Sequence, residues 1–117
     1  MLFHDDEYKV FRDELEGSSP STIWGAMCAN NLNKINLSFE ERKNYFLEFI
    51  ERLLKENKIK LAKNGVFLEG TTDEQLTHFR VVFPKTEEEL YYGLWFTFEE
   101  CPGGIVWVSD DGSLDWT

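Results

Sequence analysis

The sequence predicts one α+β domain over residues 1–117, an antiparallel sheet of about four to five strands packed by three to four helices. Three observations carry that expectation. Ser38 to Asn57 holds a broad apolar stripe at helical spacing. Asn64-Gly65 between two apolar runs is a hairpin signal. Leu94 to Thr117 reads as strand, turn, strand, turn, strand. With 42% hydrophobic and 15% aromatic residues, the 117-residue chain can bury a real core.

Taken in order, Asp5 to Glu16 is a helix with Tyr8, Phe11 and Leu15 on one face. Its first turn carries Asp5, Asp6 and Glu7, which the helix dipole favours, and Gly17 ends it. A second short helix starts at Pro20 or Ser21 with Ile23, Trp24, Met27 and Cys28 as its apolar side. Ser38 and Glu41 form a capping box that opens the third. Phe39, Phe46, Phe49, Ile50, Leu53 and Leu54 make its buried stripe, with Glu40, Glu41, Lys43, Glu51, Lys55 and Glu56 on the other faces. Ile59 to Leu61 and Val66 to Leu68 are paired strands. Thr72 with Gln75, or Thr71 with Glu74, caps a fourth helix that buries Leu76, Phe79, Val82 and Phe83 and stops at Pro84. Thr86 to Tyr92 is either one more helical turn or a loop.

The C-terminal stretch predicts a three-stranded meander. Leu94, Phe96 and Phe98 alternate with Trp95, Thr97 and Glu99, as on a half-buried strand. Cys101-Pro102-Gly103-Gly104 breaks it as a tight turn with a packed thiol. Ile105 to Val108 is an unbroken apolar run and so a central strand. Asp110 to Ser113 turns the chain, and Leu114 to Trp116 returns.

No catalytic or metal constellation stands out, and no cofactor is expected. Glu74 and His78 share a helix face, which reads as solvated rather than as a base and its orienter. The cysteines, Cys28 and Cys101, are too few for a disulfide framework and are expected reduced. Asp110-Asp111-Gly112-Ser113 lacks the ligand spacing of a calcium loop. No secretory leader is visible and no apolar stretch is long enough to span a bilayer, so a cytoplasmic location is expected.

Charge is the strongest compositional signal. The formal net charge is −10, and Asp73 to Thr117 holds ten acids against two bases, Arg80 and Lys85. Such a field speeds encounter with a basic partner and opposes nucleic acid, although acidity also serves solubility. Trp95 and Trp107 lie either on an open sheet face or in the core beneath the N-terminal helices. An exposed aromatic rimmed by acids is what a protein-binding patch looks like.

From about Glu40 onward the sequence resembles a bacterial family known as domain of unknown function 596. The resemblance rests on Ile59 to Ala62, Gly65, Leu68-Glu69-Gly70, Glu74-Gln75, Phe79-Arg80, Phe83-Pro84 and Trp95-Phe96. It continues through Cys101-Pro102, Gly104 to Val108, Asp111-Gly112 and Trp116-Thr117. The family brings no catalytic residues. Small acidic families of this kind look like immunity proteins of contact-dependent inhibition systems. That likeness implies a cognate toxin domain, most simply a nuclease with a basic surface, as the partner of a non-enzymatic protein. The expected contact residues are Glu87, Glu88, Glu89, Tyr91, Tyr92, Trp95, Asp110, Asp111 and Asp115. The rival reading is an adaptor that self-associates, as a homodimer, through the terminal sheet.

Overall fold

The computed structural model describes residues 2–117. Four helices, α1 (Asp5–Leu15), α2 (Pro20–Ala26), α3 (Phe39–Lys55) and α4 (Thr72–Val82), pack with a four-stranded antiparallel sheet. Its strands are β1 (Ile59–Lys63), β2 (Val66–Phe67), β3 (Gly104–Val108) and β4 (Leu114–Trp116), in the order β2-β1-β3-β4. A 3₁₀ segment, Glu88–Thr97, joins α4 to the Cys101 turn.

The element that gathers the rest is α3. Ser38 Oγ accepts from Glu41 N while a Glu41 carboxylate oxygen accepts from Ser38 N, so the capping box satisfies two free donors at once. Along the buried face, Phe49 and Phe46 nucleate two aromatic clusters. Phe49 meets Phe3, Tyr8 and Phe11 at centroid distances of 6.0, 5.6 and 6.4 Å, which fixes α1. Phe46 meets Trp24, Phe79, Phe83 and Phe96 at 5.7, 6.1, 5.9 and 5.5 Å, which fixes α2, α4 and the 3₁₀ segment. Lys43, expected on an outer face, is buried, with its ammonium 5.6 Å from the Phe83 ring.

In the sheet, Ile59 pairs with Trp107 and Leu61 with Ile105, and all four side chains are buried in the core. The opposite face carries Lys60, Ala62, Gly104 and Val106. Ala62 and Gly104 leave that face almost bare. Phe67 of β2 and Trp116 of β4, from opposite edges, therefore meet over it with rings 5.3 Å apart and 15° from parallel. Lys60 sits 4.8 Å over Phe67, and Val106 on the same face is buried. At Gly103 a Cβ would come within 2.8 Å of the Ala62 carbonyl oxygen, so only glycine permits this approach. The Trp107 indole donates to Ser18 O at 2.8 Å and ties the α1–α2 loop to the sheet.

One predicted strand does not form. Leu94 to Thr97 belongs to the 3₁₀ segment and Phe98 caps it, so the terminal meander has two strands and β3 finds its other neighbour in β1. Both sides of β3 are taken, and a strand at Leu94 would have no seat beside it. Trp95 and Phe96, adjacent in sequence, are both buried, which the period-two geometry of a strand forbids on a one-sided sheet. The fourth helix uses the Thr71–Glu74 capping box rather than Thr72 with Gln75.

Candidate functional site

The acidic and aromatic residues singled out from the sequence fall into two groups. The first lies on the 3₁₀ segment and its approach. Thr86 Oγ1 accepts from Glu89 N at 3.4 Å and lies 3.2 Å from Glu89 Oε1, which starts the segment. Tyr91, Tyr92 and Gly93 then follow with φ of 50°, 56° and 92°. Three successive left-handed residues reverse the chain, and for the tyrosines that conformation costs on the order of 1–2 kcal/mol each. The reversal throws Tyr92 fully into solvent and leaves Tyr91 and Leu94 more than half exposed. Gly93 is held close to α2, where an added Cβ would lie 3.1 Å from Ser21 Cβ.

Trp95 takes the core alternative. It is 5% exposed and packs on Phe83, Phe96 and Phe79 at 5.3, 5.4 and 6.1 Å. Its role is to form the floor of a surface groove rather than to project as an anchor. Glu87 is also less free than its charge suggests. Arg42 stacks 4.3 Å over Trp24, donates to Trp24 O at 2.8 Å, and pairs with the Glu87 carboxylate at 3.6 Å.

The groove, about 450 Å³ in volume, runs between the end of α4 and the 3₁₀ segment. Val82, Phe83, Pro84 and Trp95 line it below, Val81, Tyr91 and Phe98 flank it, and Lys85, Glu89 and Glu100 rim it. The Tyr91 and Phe98 rings are 5.5 Å apart. Sequence reasoning found Glu89, Tyr91 and Trp95 but missed Val81 and Phe98. Val81 left a signal, because it is apolar yet lies off the Leu76–Phe79–Phe83 stripe, and it is 70% exposed.

The second group sits at the β3–β4 turn. Asp111 accepts from Ser113 N and Ser113 Oγ at 2.9 and 2.7 Å, and these bonds hold its carboxyl below the usual range. Asp110 pairs with Lys58 at 3.7 Å while fully exposed. Asp115 lies beside the α1–α2 loop, its Oδ2 3.3 Å from where a Gly17 Cβ would stand. These three do not line the groove, so the two groups are separate features of the surface.

The Glu74–His78 pair is solvated. Glu74 is held by the Thr71 cap, and His78 is exposed. Cys101 is buried, its Sγ 3.6 Å from Gly103 O, and burial pushes the thiol up to about 11. No helix among the described residues is long and apolar enough to cross a membrane.

Residues 54–117 match the sequence profile of the family described as "Protein of unknown function, DUF596". Among solved structures, an uncharacterized protein conserved in bacteria, from Neisseria meningitidis, superposes with a TM-score of 0.72 at 28% identity. The alignment covers 95% of this chain and 92% of that one. No curated protein matches the chain.

Proposed function

The chain belongs to the family of unknown function DUF596, and from that premise we propose that it is an immunity protein, a non-enzymatic binder that neutralises a bacterial toxin domain in the cytoplasm. The observation that carries the reading is the conjunction of exposed Tyr91, Tyr92, Leu94 and Phe98 with the surrounding glutamates. Exposed aromatics supply the desolvated anchors of a tight interface, and one-sign charge supplies the encounter rate. A nuclease toxin carries Lys and Arg for phosphate, and an acidic inhibitor is steered to that same surface.

Co-expression tests it. A candidate toxic C-terminal domain, sought in the gene immediately upstream of this chain, is induced in a test strain with and without the chain. Restored growth and a co-purifying one-to-one complex are expected. Failure of both would overturn the reading.

One observation favours a second reading, self-association through the sheet. Val66, Phe67, Leu114 and Trp116, on the two edge strands, are all at least 36% exposed. Light scattering separates the two: a monomer across concentration supports the immunity protein, and a concentration-dependent dimer without a toxin supports the adaptor.

A further inference from the structure

We infer that the groove between α4 and the 3₁₀ segment receives an apolar side chain flanked by arginine or lysine, presented by a protein partner. This rests on the proposed function and deepens it, by choosing the groove over the Asp110–Asp115 turn as the contact.

The floor is apolar, and no convergent set of buried polar side chains lines it, so an aliphatic or aromatic side chain is the group it desolvates best. Tyr91 and Phe98 stand over that floor, and Tyr92 and Leu94, close to Tyr91 in the chain, are exposed. The rim sets the charge of what enters. Lys85 is its one cation against Glu89 and Glu100, with Glu88 and Glu99 exposed alongside in sequence. An apolar anchor between basic residues complements both features at once. A second copy of this chain would bring the same glutamates to the same rim, and an anionic lipid surface would meet like charge, so both are disfavoured. At the Asp110–Asp115 turn, Asp111 and Asp110 spend their carboxylates locally, on Ser113 and Lys58.

Two measurements decide it. In the first, a short peptide with one leucine between two arginines is titrated into the labelled full-length chain and followed by NMR. Shifts at Val81, Tyr91, Phe98 and the Trp95 indole are expected. Shifts confined to Asp110–Asp115, or none, would overturn the groove. In the second, Val81→Lys and Asp110→Lys are compared in capture of the neighbouring toxin domain, after matched thermal midpoints show that both fold. Val81→Lys should weaken capture about tenfold or more, the scale of a lost hot spot, and Asp110→Lys should change it little. The reverse order would overturn the assignment. If the wild-type chain captures no toxin, the immunity reading falls and the peptide titration still decides the groove. If it captures toxin and Val81→Lys does too, the groove falls and the immunity reading stands.

Discussion

Phe49 shows how much of the core one position holds. It is fully buried and touches three rings from the N-terminal segment and α1. Phe49→Ala should cost about 3–5 kcal/mol in urea unfolding. A loss below about 1 kcal/mol would mean that α3 does not face this cluster. Cys101 makes a second residue-scale test. Its thiol, moved from an ordinary 9.0 to about 11 chiefly by burial, stays protonated at neutral pH. In native protein at pH 8, a disulfide reagent should therefore modify the half-buried Cys28 first and reach Cys101 only on unfolding. The buried thiol contributes stability that is fully present below the unfolded value and falls as pH rises through about 11. Lys43 marks the limit of reading residues singly, since its charge suggested an outer face, yet its long stem lies along the core with the ammonium near Phe83.

Among the elements, α3 was legible because a capping box and a seventeen-residue apolar period agree on one answer. The hairpin at Asn64-Gly65 was legible because its turn chemistry is local, with both residues at positive φ. The segment Leu94 to Phe98 was not, because its alternation satisfies a strand locally and only tertiary structure withholds the neighbour. The same misreading left Trp95 undecided between an open face and the core and hid the groove, which exists only because α4 and the 3₁₀ segment meet. The left-handed turn offers a test at this scale. Tyr92 is fully exposed at a φ of 56°, where glycine sits without strain. Tyr92→Gly should raise thermal stability by about 0.5–1 kcal/mol and weaken capture of the proposed toxin partner. A destabilised variant would mean that the turn is not strained.

For the whole molecule, the charge asymmetry is an association property rather than a fold property. Reversing Glu88 and Glu89 together to lysine should slow association with a basic toxin domain in stopped flow at low salt, and leave the unfolding midpoint in place. The difference should shrink as salt shortens the screening length toward about 8 Å at physiological ionic strength. Glu87 is left out of that variant because a lysine there would face Arg42. β1 and β3 are the central pair, yet α4 and the whole 3₁₀ segment lie between them in the chain. That loop must close before any of the central hydrogen bonds form, so its entropy is lost before the pairing returns it. Helices and the β1–β2 hairpin can form early, and the arrival of β3 is the expected rate-setting step of refolding. If that step is the barrier, Ile105→Val will slow refolding and leave unfolding nearly unchanged in a denaturant chevron.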